Sequence, residues 1–188
     1  MNNNSKPIKN RGTNKKNMGS RALIRFFATF ALLMILFYLV YNSSFYTKHI
    51  MPILLGTQAK ISSVLLSIMG FGTTALKETV YNDSFRVDIR GGCDGLEGTA
   101  LFVAGVLSFP FASWKSKLKG LLLGVLILGI VNIVRIVILF LSGLYWPSAF
   151  EFLHLHGGVI LYSIFAVLLW IIWVNRRLQE RLKGQSVS

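Results

Sequence analysis

The sequence predicts an all-α integral membrane protein: a polytopic helical bundle of about four full spans, with an interfacial or re-entrant helical segment and a small outer-side β-hairpin. Three observations carry that expectation. Of 188 residues, 53% are hydrophobic and only 14% charged, with a mean hydropathy of +0.58, whereas soluble domains are about a quarter charged. Four apolar segments, residues 22–41, 96–114, 120–145 and 157–174, reach or approach the ~20 residues needed to cross a bilayer. The basic residues gather at particular junctions between those segments, as they do in a chain oriented across a membrane.

The first segment, 22–41, follows a basic stretch, so a cleaved signal peptide has to be weighed. Its apolar run is longer than a signal core, and FYLVYNSSFY sets large residues where a peptidase needs small ones. A retained anchor is expected. Net charge is +13, yet its placement argues against nucleic acid. Lys6, Lys9, Arg11, Lys15, Lys16, Arg21 and Arg25 precede or open the first segment. Lys115, Lys117 and Lys119 lie between the second and third, and Arg176, Arg177, Arg181 and Lys183 follow the fourth. These patches hold fourteen of the twenty basic residues and one acid, Glu180. Short cytoplasmic segments are rich in Lys and Arg, so both termini and the KSKLK loop are expected in the cytoplasm, near anionic lipid.

Four spans with both ends inside leave residues 42–95 and 146–156 on the outer side. Within the first of these, Ile53, Ile61, Leu65, Ile68 and Met69 form a helical stripe with Lys60, Ser63 and Ser67 off it. That segment, about 49–72, suits a helix lying along the outer leaflet or a helical hairpin dipping into the membrane. LKETVY-ND-SFRVDIR then reads as a hairpin turning at Asn82-Asp83, with Phe85, Val87 and Ile89 alternating with polar residues.

The strand delivers the chain to GGCDGLEG, residues 91–98, which contain the only cysteine. Asp94 followed three residues later by Glu97 has the pattern of a helix cap with a reciprocal glutamate. Cys93 would then sit close to the positive end of a helix dipole, which favours the thiolate, while two carboxylates oppose it. At this point a lone cysteine has two readings, a small buried apolar residue or a nucleophile. The third span is apolar except for Asn132 and Arg135, which share a helix face. Arginine near a bilayer centre costs about 2.5–3.5 kcal/mol even on the lenient scale. Counting from Gly120, Arg135 would lie roughly 22 Å along its helix. It either snorkels to headgroups, pairs structurally, or serves a site. His154 and His156 stand at the head of the fourth span. Without a third histidine or a second cysteine nearby, no metal site is expected from that pair, and no other cofactor is implied. Cys93, Arg135 and His154, brought to one depth by the topology, have the composition of a thiol acyl-transfer site.

Together these motifs resemble the exosortase/archaeosortase family of membrane transpeptidases, over about residues 51–173. The family shows Cys-x-Gly-(Leu/Ile) at the head of a span, here Cys93-Asp94-Gly95-Leu96. Asn-x-x-Arg follows in the next span, here Asn132 to Arg135, and then a His with Gly four and an aromatic eight residues later, here His154, Gly158 and Tyr162. CDGLEG…LSFP…NIVR…FEFLH looks most like the exosortase H subtype. Two departures stand out: Asp94 where relatives often carry a small hydroxyl or Asn, and fewer spans than many relatives have.

The resemblance implies catalytic Cys93, Arg135 and His154, supported by Asn132, Asp94 and Glu97, with no metal. The implied partners are secreted proteins ending in a short motif, a hydrophobic helix and a basic cluster, a glycan or lipid-linked acceptor, and membrane lipids, with no nucleic acid. The chain then divides into a basic cytoplasmic tail (1–21), a membrane-embedded catalytic domain (22–178) and a cytoplasmic C-terminal tail (179–188). The expected place is the bacterial inner membrane, with the site facing outward. Three other classes compete: a non-catalytic subunit binding anionic lipid through Arg135, a hydrolytic cysteine protease, and a small transporter.

Overall fold

The computed structural model describes residues 11–154 and 158–185. Helix α1 runs Arg11–Tyr41, and a π-helical turn, Tyr46–Ile50, leads into α2, Met51–Ile68. Strands β1 (Thr74–Leu76), β2 (Thr79–Tyr81) and β3 (Arg86–Asp88) form an antiparallel sheet in that order. Then come α3 (Leu96–Ser108), α4 (Trp114–Tyr145), the short α5 (Pro147–Phe152) and α6 (Gly158–Gln185). The chain is a polytopic all-α membrane protein with a small sheet, as its composition predicts.

The assignment of spans needs one correction. Four helical stretches are long and apolar enough to cross a membrane: Ser20–Tyr41, Tyr46–Ile68, Trp114–Tyr145 and Gly158–Lys183. The expected second span is instead the 13-residue α3, about 20 Å long against a hydrocarbon core of about 30 Å. It stops because Phe109 turns to an extended conformation ahead of Pro110 (φ −67°, ψ 116°). The KSKLK stretch is not a loop but the opening of α4, started by Ser113, whose hydroxyl accepts the Ser116 N–H at 3.4 Å. Lys117 turns inward and donates to the Leu107 carbonyl near the end of α3.

Helices α3, α4 and α6 lock together through small residues that admit aromatic rings. A Cβ on Gly124 would collide with the Phe102 ring, and Gly98 and Gly105 are covered at 2.6 Å and 2.8 Å by Tyr162 and Trp170. Burial of apolar area does not drive helices together in lipid, so close approach at small residues does. Phe102, Val106, Phe109, Leu128, Tyr162, Ala166 and Trp173 form the buried cluster that results. Helix α1 flanks it, with Phe26 stacked on Trp170 at 5.9 Å.

A second cluster fills the other end. Leu55, Ala59 and Leu66 of α2 meet Val80, Val87, Ile89 and Cys93, and Ile136, Val137, Leu139 and Phe140 of α4. The segment around α2 is one continuous helix, which replaces the hairpin alternative. Its apolar stripe faces outward: Ile53 is 72% exposed and Ile68 77%. Ser62 and Ser63 are buried, and Ser63 and Ser67 both donate to the Thr73 carbonyl, at 3.0 and 2.8 Å. Lipid accepts apolar side chains as readily as a protein core does, so the small polar face is the one that packs. The hairpin turns at Asn82, whose side-chain oxygen accepts the N–H groups of Ser84 and Phe85 at 3.0 and 2.8 Å. Val80 pairs with Val87 on the buried face, and β1 adds a third strand that the sequence pattern did not announce.

Candidate active site

The two clusters meet at a polar seam, and the chemistry-bearing residues lie along it. Gly92 and Gly95 both hold positive φ, +86° and +74°, so the backbone turns tightly on either side of Cys93 and Asp94. At Gly95 no side chain would fit in any case, because a Cβ there would lie 2.7 Å from the Asn132 side chain and 3.0 Å from the Tyr162 hydroxyl.

Asp94 is the hub. It is 2% exposed. Its backbone carbonyl accepts from both Gln58 Nε2 at 2.9 Å and Asn132 Nδ2 at 3.0 Å. Its carboxylate accepts the Leu96 N–H at 3.1 Å and the Tyr41 hydroxyl at 3.0 Å. Four helices therefore converge on one residue. The expected reciprocal cap with Glu97 does not form. Gly95 occupies the capping position of α3, which makes Gly98 the third helical residue and leaves Glu97 one position short of the reach a reciprocal bond needs. Asp94 makes a local turn of the Asx kind instead, and Glu97 has no hydrogen bond among the described residues.

Arg135 projects from α4 into the same turn. Its Nη2 donates to the Gly92 carbonyl at 3.1 Å, one residue before the cysteine. The guanidinium lies over the Tyr162 ring, 5.6 Å from its centroid, a cation–π placement that steadies a charge away from water. Tyr162 is itself fixed, since its hydroxyl donates to the Leu128 carbonyl at 3.1 Å and lies 3.0 Å from Thr99 Oγ1. Arg135 Nη1 is buried with no partner among the described residues. An unpaired buried donor costs roughly 1–3 kcal/mol, so this N–H is available to whatever enters.

Cys93 is 8% exposed and belongs to the sheet-end cluster, with its N–H bonded to the Arg90 carbonyl at 2.9 Å. His154 lies at the end of the segment after α5, its ring stacked on Phe150 at 5.1 Å and 13°. Its Nδ1 is also buried and unpartnered. His156 lies outside the described residues. No hydrogen bond among the described residues joins Cys93, Arg135 and His154 directly. Arg135 shares a cavity of about 260 Å³ between α4 and α6 with Leu153, the neighbour of His154, and Gly158. A Cβ on Gly158 would lie 3.3 Å from Arg135 Nε. The remaining walls are apolar and include Val134, Ile138 and Leu161, each about half exposed on the outside of the bundle. The arrangement offers a thiol next in sequence to a carbonyl held by a cation with a free N–H, an imidazole nitrogen without a partner, and an apolar cavity at the side of the bundle.

Of the candidates named from the sequence, Asp94, Asn132 and Arg135 share the hydrogen-bonded seam around the Cys93 turn, and the structure adds Tyr41 and Gln58, which the sequence reading did not name. Gln58 carried a weak signal, as the one amide in a helix that also holds Thr57, Lys60 and three serines. Tyr41 carried none, because an aromatic at the end of a span is ordinary interfacial composition.

A family model described as Transmembrane exosortase (Exosortase_EpsH) matches residues 18–171. Neither a curated protein nor a solved structure matches the chain. The matched stretch contains every residue of the seam, from Tyr41 to Tyr162, and the chain belongs to the transmembrane exosortase family, a family of membrane transpeptidases and proteases that act in protein sorting.

Proposed function

We propose that the protein is a cysteine transpeptidase that removes the C-terminal sorting signal of secreted proteins and transfers them to a surface acceptor. The observation that carries this reading is the placement of Arg135. One guanidinium N–H holds the carbonyl next to Cys93, and a second is buried and unpartnered at a cavity that opens sideways between α4 and α6.

The chemistry follows from those groups. His154 takes the thiol proton of Cys93 as general base. The thiolate sulfur attacks the carbonyl carbon at the sorting motif, and the carbonyl electrons move onto oxygen. Arg135 Nη1 is the donor offered to that oxyanion, in surroundings where a fixed charge counts for more than it does in water. Collapse of the intermediate breaks the C–N bond, His154 returns its proton to the leaving amine of the anchor helix, and a thioester remains on Cys93. An amine or hydroxyl of a glycan or lipid-linked acceptor then attacks the thioester, forming the new acyl bond and regenerating the thiol. The substrate's apolar anchor can reach the site from within the membrane, which accounts for chemistry built into a bilayer. The charge pattern favours cytoplasmic termini and an outward-facing site, and the family suggests the bacterial inner membrane.

Coexpression with a secreted protein ending in motif, apolar helix and basic cluster tests the reading. Anchor removal should fall to background in Cys93→Ala, Arg135→Ala and His154→Ala while each variant remains in the membrane. Continued processing by Cys93→Ala would overturn the nucleophile and favour a non-catalytic subunit. Product lacking added mass at its new C-terminus would mean hydrolysis without transfer.

A further inference from the structure

About 22 Å along α4 from Arg135, at the end where α4 begins, a second cavity of about 310 Å³ opens between α4 and α6. Its charged lining residues are Lys119, Arg176 and Arg177, with no acid among them. The nearest acid in the hydrogen-bond network, Glu180, pairs with Arg177 Nη1 at 2.7 Å. Arg177 Nε remains buried and unpartnered among the described residues. So does the indole N–H of Trp173, a residue only 8% exposed that lines the same cavity. Beyond the cations the walls become wholly apolar, through Leu123, Ile127, Leu169 and Ile172. Leu123 is 57% exposed and Ile172 49%, so this part of the cleft is open along the side of the bundle.

We propose that this cleft is a binding site for one anionic phospholipid. The phosphodiester headgroup would lie among Lys119, Arg176 and Arg177, within reach of the Trp173 and Arg177 N–H donors, and an acyl chain would follow the apolar groove between α4 and α6. Charge alone would suit any anion, and an apolar groove alone any hydrocarbon. The two in series, with cations at one end only, fit a molecule with an anionic head and a hydrocarbon tail. Basic clefts between spans on the positively charged side are where such headgroups are held. The lipid would clamp α4 against α6, the two helices that carry Arg135 and Tyr162.

The full-length protein in nanodiscs of phosphatidylcholine with a minor fraction of phosphatidylglycerol, analysed by native mass spectrometry, tests this. The wild type should retain one phosphatidylglycerol in preference to phosphatidylcholine. Lys119→Gln/Arg176→Gln should weaken that retention roughly 30-fold, about fivefold for each lost cation. Lys6→Gln/Lys9→Gln, which removes the same charge from the N-terminal tail, should leave it unchanged. If the first double variant does not survive purification, Lys119→Gln alone, at an exposed position, should still lower retention about fivefold. Equal retention of the two lipids by the wild type would overturn the proposal in favour of an unselective apolar groove. An equal loss in the tail variant would reduce it to general surface attraction.

Discussion

The two buried clusters share a device, a ring over a glycine of α4, but differ in what surrounds it. At the α4-start end, rings fill gaps over glycines: Phe102 at Gly124, Trp170 at Gly105, Tyr162 at Gly98. At the sheet end, α2 and three short strands surround the last third of α4, where one glycine, Gly143, admits the Phe85 ring and the serines of α2 fix the chain at the Thr73 carbonyl. The first plan gives a rigid, dry contact with little chemistry in it. The second supplies backbone turns at positive φ, buried amides and carbonyls that can be aimed. The candidate site lies where they meet, with Asn132, Arg135 and Tyr162 on the interlocked helices and Cys93 and Asp94 on a turn between Gly92 and Gly95 that the sheet end delivers.

The largest predicted effect breaks the seam itself. Arg135→Lys keeps the positive charge but loses the planar fork, so one ammonium cannot hold the Gly92 carbonyl and also present a second N–H at the Nη1 position. Turnover of a sorting substrate should fall by about 10²–10³, the range for losing an oxyanion donor, with the melting temperature in detergent nearly unchanged. Wild-type turnover in Arg135→Lys would mean that charge alone matters there.

A pair of glycines in one helix sharpens the contrast between packed and lipid-facing surface. Gly124→Ala places a methyl where the Phe102 ring lies, whereas a Cβ on Gly129 meets nothing within 4 Å. The first should destabilise by about 2 kcal/mol through overpacking, and the second should be neutral or slightly stabilising because alanine is the better helix former. Thermal unfolding of both variants in the same detergent separates them, and equal melting temperatures would contradict the interlock.

Next in size is Tyr41→Phe, which removes the donor to Asp94 Oδ2 and the side-chain hydrogen bond that ties α1 to the cysteine turn. A loss near 1 kcal/mol is expected, together with a raised rate of Cys93 alkylation and a lowered turnover as the turn loosens. Because Cys93 is the single cysteine, a maleimide reports on that turn alone. An unchanged labelling rate and stability would show that α1 is an anchor and nothing more.

How much of this was legible follows the same division. Apolar length and charge placement announced a membrane bundle, and three local features pointed to the candidate site: Arg135 as a charge in an apolar helix, Cys93 in a glycine-rich junction and His154 at the head of a span. The start of α3 at Leu96 was legible but its end was not, since apolar residues continue through Phe109 and Phe111 after the helix stops at Ser108. The burial of α2 was legible only in reverse: a stripe of isoleucines and leucines marks the packed face in water and the outer face here. The cap at Asp94 failed for a local reason, as Gly95 at φ +74° displaces the helix start by one residue. Gln58 and Tyr41 reach Asp94 across 36 and 53 residues of sequence, contacts that no local pattern encodes.

The smallest predicted effect lies in the sheet, outside the spans. Asp88 accepts a hydrogen bond from Thr79 at 2.8 Å and pairs with Arg90 at 3.4 Å. The Thr79 bond first, and the charges of Arg86 and Arg90 after it, hold its carboxyl below the usual carboxylate range. A folded-state value below the unfolded one stabilises the fold above about pH 4, where the unfolded carboxylate is ionised, and that contribution disappears as pH falls through the lower folded value. Arg90 is 76% exposed at its side chain and Asp88 34%, so water and salt screen most of the pairing and the Thr79 bond is the larger part. Asp88→Asn should therefore lower the melting temperature by only a degree or two at pH 7 and flatten its fall between about pH 4 and pH 3. The same substitution should leave turnover unchanged, because the sheet edge touches neither Arg135 nor the α4–α6 cavity. A large loss of turnover in Asp88→Asn would show that the sheet takes part in the chemistry and does not only deliver the chain to Cys93.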